Sequence, residues 1–241
     1  MAAARAHLAV ATVAGGLAAT VGVAARLCGP REALLLLCLS AAGGYLPDVD
    51  ADNSGPLKVT FHWGALALAF LALFHAAEAY SVAERVLLWL GVYLTVRVVA
   101  VKGFEKLTLH RGLFHSVPAA LLFSALAVSV CHRGFGWGTT TSWAAGGFLC
   151  GGYLSHLLLD EAAALNLFGI GTRGSLGSAC KLWHGANPRG TLWLYALAAA
   201  TLLAAPSPGP LLAAIVEPAT LQTLTGNLWP RGRWFVAAPP P

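Results

Sequence analysis

The feature that most constrains this chain is a series of long apolar stretches that recurs along most of its length. A membrane-spanning helix needs about 20 mostly apolar residues, because the hydrocarbon core of a bilayer is about 30 Å thick. Six stretches approach that length, namely residues 6–25, 33–47, 59–77, 86–101, 112–132 and 134–159. A seventh, 190–216, is interrupted by Pro206, Pro208 and Pro210. The pattern predicts an all-α, polytopic transmembrane helical bundle of six or seven spans.

The composition excludes most other classes of protein. Apolar residues make up 57% of the chain and charged residues 10%, whereas soluble domains are about 25% charged. A soluble enzyme and a disordered chain are therefore poor interpretations. The net charge is +5, but basic residues do not cluster with aromatic ones, so we expect the lipid bilayer as partner and no nucleic acid. The sequence does not indicate an oligomeric state.

The apolar stretches predict one transmembrane domain over residues 1–217, with a motif-bearing core over 1–165. Residues 218–241 are interpreted as a polar, Pro-rich C-terminal tail. Residues 6–25 could be a signal peptide, but no Ala-x-Ala cleavage site follows them, so we expect a retained helix.

Basic residues predict the orientation in the membrane. Eight Lys and Arg residues fall on the side of the N-terminus and four in the opposite loops. The positive-inside rule then predicts a cell (inner) membrane protein whose N-terminal side is cytoplasmic. Arg231 and Arg233 would join the opposite side if the seventh span exists, which narrows the difference.

Aspartate and histidine residues gather at the predicted cytoplasmic face. All four aspartates of the chain fall there, and the histidines at the same face include four near them: Asp48, Asp50, Asp52, Asp160, His7, His110, His115 and His156. Imidazole and carboxylate ligands together suit zinc, manganese or iron. The sequence therefore predicts a polar metal site at one membrane face.

The three clustered aspartates allow two interpretations. Pro47 disfavours helix at Leu46 and so is expected to end the second span. If the following segment is extended, residues 48, 50 and 52 point the same way, and their carboxylates repel one another unless a cation lies among them. A solvated turn with contacts from Asn53 and Ser54 is equally compatible with the pattern.

Two further segments carry the histidines. His110 and His115 flank a short loop before the fifth span, where Ser116 is expected to be a helix N-cap and Arg111 could contact a phosphate. His156 and Asp160 are four residues apart on a helix and share one face. That pair suits a metal site, although a hydrogen-bonded pair tying helices together is the alternative.

These motifs together resemble the YdjM-type family of membrane-bound metal-dependent hydrolases. The resemblance covers roughly residues 1–165 and rests on residues 6–8, Leu-Pro-Asp-x-Asp at 46–50 with Ser54 after it, 110–116 and 152–160. It implies a multi-helix membrane protein with a metal site and hydrolase activity. The family's relatedness to zinc-dependent phospholipase C and nuclease folds suggests phosphate esters as substrates. Two positions where family members often have Thr differ here, since Phe114 precedes the second histidine and alanines follow Glu161.

The residues and the resemblance together predict a membrane-bound hydrolase that uses metal-activated water on a small-molecule or lipid-linked phosphate ester. The expected metal ligands are His7, Asp48, Asp50, His110, His115, His156 and Asp160. Seven ligands exceed what one catalytic zinc needs, so two or three divalent ions are expected, with zinc first and manganese or iron as alternatives. Asp50 is the expected base, Arg111 the group that stabilises phosphoryl charge, and Arg111 and Ser54 the substrate-binding residues.

Two other classes of function remain open. A transporter or metal carrier would use the same His/Asp residues for transit, but would need polar groups through the membrane, where the spans offer little beyond Arg97. A non-catalytic membrane interaction protein would use the motifs only to cap helices. Neither HExxH nor Gly-x-Ser-x-Gly occurs, so a zinc protease or serine hydrolase of those types is not indicated.

Overall fold

The computed structural model describes residues 4–50, 62, 65–66, 68–70, 72, 82–100, 113–164, 180–185 and 187–228. Its α-helices are α1 (Ala4–Ala24), α2 (Pro30–Tyr45), α3 (Val82–Leu94), α4 (Val117–Ser129), α5 (Thr139–Ala164), α6 (Pro188–Ala204), α7 (Gly209–Val216) and α8 (Pro218–Asn227). A 3₁₀ helix, Leu46–Asp50, follows α2, and π-helical segments Thr95–Ala100 and Val130–Gly134 follow α3 and α4. The described residues contain no β-strand, which confirms the all-α prediction for them.

Two of the described helical segments, Arg5–Ala24 and Val117–Gly134, are long and apolar enough to cross a membrane. The pair α6 and α7 would add a third span if the two helices, bent by 79°, count as one. Helix α2 has only 16 residues, and α5, although 26 residues long, carries polar groups near its C-terminal end. Six or seven spans therefore stay a prediction, while apolar membrane-length helices are confirmed.

Among the described residues, helices α1, α2, α4 and α5 form the bundle that positions the site. Helix α2 packs against α1 and α5, and α4 packs on α5 and α6. Two hydroxyl groups link neighbours through backbone carbonyls: Ser40 Oγ donates to Ala11 O and Ser124 Oγ donates to Gly146 O, each at 2.9 Å. The start of α1, the end of α2, the start of α4 and the end of α5 consequently lie at one end of the bundle.

Glycines bring the backbones of α2 and α5 into contact near that end. A Cβ atom at Gly43 would overlap Leu149 O, and a Cβ atom at Gly152 would overlap Ser40 O. Small residues let helices approach this closely in membranes, where packing rather than hydrophobic exclusion drives their association. The glycine contact therefore sets the spacing between α5, which carries His156, and α2, which leads into the 3₁₀ helix that carries Asp48.

We expect Gly152→Ala to destabilise the bundle, because the added methyl group has no space against the Ser40 carbonyl. Overpacking of this kind costs about 1–3 kcal/mol. Gly147→Ala is the matched control on the same helix, since nothing lies within 4 Å of its Cβ position. Thermal unfolding in detergent should show a lower Tm for Gly152→Ala alone. Equal Tm values for the two variants would contradict the close contact.

The C-terminal helices fold back on the bundle at the end opposite the site. The chain breaks between α6 and α7, where Pro206 and Pro208 lack the N–H groups needed to continue a helix. Trp143 Nε1 donates to Pro206 O at 2.8 Å and so fixes the break against α5. Helix α8 lies in the segment interpreted as a polar tail, and Asn227 Nδ2 donates to Ala24 O at 2.8 Å.

Candidate metal centre

Five of the predicted site side chains meet at the end of the bundle where α1 and α4 begin. We call them the His/Asp cluster: His7, Asp48, His115, His156 and Asp160. They come from the first turn of α1, the 3₁₀ helix, the loop before α4 and the last third of α5. Residues separated by up to 153 positions in the sequence are therefore within contact distance in the fold.

The two carboxylates lie between the three imidazoles. Asp160 Oδ1 is 3.2 Å from His7 Nε2, and Asp160 Oδ2 is 3.7 Å from His156 Nε2 and 3.8 Å from His115 Nε2. Asp48 Oδ1 is 3.5 Å from His156 Nε2 and 3.8 Å from His115 Nε2. Three histidine nitrogens thus face two carboxylates across short gaps.

These separations suit ligands around an ion better than hydrogen bonds. An N–H···O hydrogen bond is about 2.7–3.2 Å long, whereas two ligand atoms at 2.0–2.2 Å from a tetrahedral ion lie about 3.3–3.6 Å apart. Most of the five gaps fall nearer the second range. Two sets of three ligand atoms lie within 4.8 Å of one another: His7, His156 and Asp160; and Asp48, His115 and His156.

The tautomer of His156 follows from its other ring nitrogen. Nδ1 lies 2.7 Å from Gly44 O, and a carbonyl oxygen can only accept, so Nδ1 donates. In the neutral ring, Nε2 then carries a lone pair that faces Asp48 and Asp160. A lone pair aimed at two carboxylates is repulsive unless a cation lies between them. Backbone support of this type is what metal-ligating histidines usually have.

Burial makes this arrangement costly without a bound cation. His156 is 0% exposed, His7 2% and Asp160 8%. Within the described part of the chain, neither His156 Nε2 nor Asp160 Oδ1 makes a hydrogen bond. Buried charges in proteins are paired or coordinate metals, because an uncompensated charge loses its hydration. The donor set and its burial therefore fit a divalent metal.

A short loop holds His115 in place. Tyr153 Oη donates to Phe114 O, and Val117 N donates to Lys181 O at 3.0 Å. Ser116 occupies the N-cap position of α4, as the sequence predicts, but its hydroxyl donates to Leu113 O instead of capping the helix. The loop is thus fixed by α5 and by the segment around residue 181.

We expect Tyr153→Phe to weaken metal binding about tenfold while keeping the fold, because the ring still packs but the bond to the His115 loop is lost. Tyr153 is 0% exposed, so no water replaces the hydroxyl from solvent. Metal titration of the purified variant against the unsubstituted protein measures the change. An unchanged affinity would mean that the hydroxyl does not position His115.

Four predicted residues have no described side chain. His110, Arg111 and Ser54 lie outside the described residues, and the side chain of Asp50 is likewise not described. Of the two interpretations of the aspartates, the extended one does not hold for residues 46–50, which form a 3₁₀ helix. Helix α2 ends at Tyr45, as Pro47 predicts, and in the 3₁₀ helix that follows a period of three residues does not place positions 48 and 50 on one edge.

Two other potential ligands among the described residues lie outside the cluster. His132 lies at the opposite end of the bundle, where its Nδ1 is 2.9 Å from Trp137 O. Cys180 packs near Tyr153, and burial, with the negative charge of Glu161, raises the pKa of its thiol. Cys180 belongs to neither of the two sets of ligand atoms.

Comparison with known proteins assigns the chain to a family. Residues 1–211 match the model of the YdjM inner membrane protein family. The chain belongs to the YdjM inner membrane protein family. The match extends beyond residue 165, where the motif-based resemblance ends, and covers α6 and the start of α7. No curated protein and no solved structure matches the chain.

Two residues that support the ligands of this YdjM-family site are not predicted from the sequence, because neither is a metal-ligand type in the motifs. The carbonyl oxygen of Gly44 accepts a hydrogen bond from His156 Nδ1, and the hydroxyl of Tyr153 donates to the loop that carries His115. A sequence signal for the first exists, because Ser40 and Gly44, like Gly147 and Gly151, show the small-xxx-small spacing of close helix contacts. No signal marks the hydroxyl of Tyr153 as a loop anchor.

Proposed function

We propose that this YdjM-family protein is a metal-dependent hydrolase of phosphate esters at the cytoplasmic face of the inner membrane, built on six or seven spans. The observation that carries the proposal is the buried Nε2 of His156, which faces two carboxylates and makes no hydrogen bond within the described residues. A purely structural His–Asp pair would close to hydrogen-bond distance. A site for a divalent cation explains both the gap and the burial.

The shared position of His156 favours one ion among the described ligands. Both candidate ligand sets include His156. Its Nδ1 is engaged with Gly44 O, so only Nε2 is available, and one imidazole nitrogen binds one ion. Zinc with three or four of the five cluster ligands is the first choice, with manganese or iron as alternatives. Ligands from Asp50 and His110 are needed for the two or three ions that the motifs suggest.

The chemistry of such a centre follows from its ligands. A catalytic zinc supplies a Lewis acid and lowers the pKa of water to about 7. Asp48 is the more exposed carboxylate of the cluster, with 20% of its side chain exposed, and is the better placed of the two to accept a proton from water. Asp160 and the three histidines hold the buried side. Arg111, five residues before Ser116 in the same motif, is proposed to bind the phosphoryl group.

Phosphate-ester hydrolysis by the purified protein tests this function. The protein in detergent would be stripped of metal, supplied separately with zinc, manganese or iron, and assayed for phosphate release from p-nitrophenyl phosphate and from phosphatidic acid. We expect release only with added metal. Stoichiometric metal without hydrolysis of any ester class would leave a metal-binding protein and overturn the hydrolase proposal.

A further inference from the structure

An apolar groove of about 480 Å³ lies between α1, α2, α5 and α7. Residues that line it include Gly15, Ser40, Trp143, Gly147, Leu211 and Ile215. On α5 it extends from Trp143 to Gly151, eight residues or about 12 Å along the helix axis. None of the described residues that line the groove carries a charge, so its chemistry suits a hydrocarbon.

The groove approaches the His/Asp cluster from within the membrane. Gly151 precedes His156 by five residues, about 7.5 Å along α5, and Ser40 precedes Gly44 by one turn of α2. The groove therefore ends one to two helical turns from the cluster. A molecule that reached from the cluster into the bilayer would run in the direction of the groove.

The bent C-terminal helices supply one wall of the groove. Leu211 and Ile215 of α7 face it, and the 79° bend between α6 and α7 brings them there. The contact of Trp143 with Pro206 O fixes this wall to α5. With α7 as a further wall, the groove is bounded by four helices, and we call it the slot.

We propose that this slot binds one alkyl chain of a membrane lipid. We further propose, on the basis of the proposed function, that this lipid is the substrate and that its phosphate head group lies at the cluster. The surrounding hydrocarbon offers alkyl chains at high concentration, and the volume lies within the usual range for ligand sites of about 300–1,000 Å³.

Filling the slot tests the proposal. In the double variant Gly147→Leu/Gly151→Leu the new side chains enter open space, because nothing lies within 4 Å of either Cβ position. Gly91→Leu makes the same change at an equally open helical position that does not line the slot. Native mass spectrometry after detergent exchange would count the phospholipid molecules that remain on each protein.

We expect one retained phospholipid on the unsubstituted protein and on Gly91→Leu. The double variant should show about tenfold lower occupancy, equivalent to about 1.4 kcal/mol, because its leucines take the space that the alkyl chain needs. No retained lipid on the unsubstituted protein, a lipid-free dimer, or equal occupancy on the double variant would overturn the proposal.

The substrate role has a separate readout. Hydrolysis of phosphatidic acid with long acyl chains should exceed that of a short-chain analogue about tenfold in the unsubstituted protein, and this preference should disappear in the double variant. A preference that survives the double substitution would overturn the assignment of the slot to the substrate. Retained lipid without hydrolysis in any variant would support the slot and refute only the hydrolase function.

Discussion

We expect His156→Ala to remove the bound metal from the purified protein and to abolish metal-dependent hydrolysis. His156 belongs to both candidate ligand sets, so its loss leaves two ligands in each. A divalent ion held by two protein ligands dissociates readily, because catalytic zinc sites keep about three. Elemental mass spectrometry of the protein in detergent measures the metal-to-protein ratio directly.

His132→Ala is the matched control for this experiment. His132 is also a helical histidine with its Nδ1 beside a backbone carbonyl, but it lies at the opposite end of the bundle. We expect this variant to keep its metal and its fold. Equal metal content in His156→Ala and the unsubstituted protein would refute the ligand assignment, and a loss in both variants would point to a general loss of fold.

The sequence predicts much of the helical frame because charge-free runs mark apolar helices. Residues 6–25 are predicted as a span and α1 covers Ala4–Ala24, while residues 33–47 correspond to α2 at Pro30–Tyr45. The helical period alone predicts that His156 and Asp160 share one face, and His156 Nε2 is 3.7 Å from Asp160 Oδ2. Alternating helix direction then predicts that His7, Asp48 and His115 arrive at the same end.

The features that the sequence does not predict depend on contacts between helices. The 3₁₀ helix at Leu46–Asp50 contacts α5, whereas the sequence leaves both an extended segment and a turn open at this point. The overlap of Gly43 and Gly152 with facing carbonyls and the bond from His156 to Gly44 O arise only after α2 and α5 have packed. Helix α8 likewise forms where composition suggests a polar tail.

We expect Asp160→Asn to lower the affinity for metal much more than Asp48→Asn does. The Asp160 carboxylate faces all three histidines of the cluster and is 8% exposed, whereas Asp48 faces two and its side chain is 20% exposed. Asparagine keeps the size of the side chain but removes the negative charge. We expect a loss of about 100-fold or more for Asp160→Asn, because a buried ligand charge has no substitute from solvent.

The two variants separate a ligand role from a catalytic one. Metal titration of each purified protein gives the affinity, and phosphate release at saturating metal gives the rate. If Asp48 serves as the base, Asp48→Asn binds metal with a moderate loss yet stays inactive when the metal is saturating, whereas excess metal restores part of the activity of Asp160→Asn. Equal losses of affinity in both variants would mean that the two carboxylates are equivalent ligands, and proton transfer would then need a residue other than Asp48.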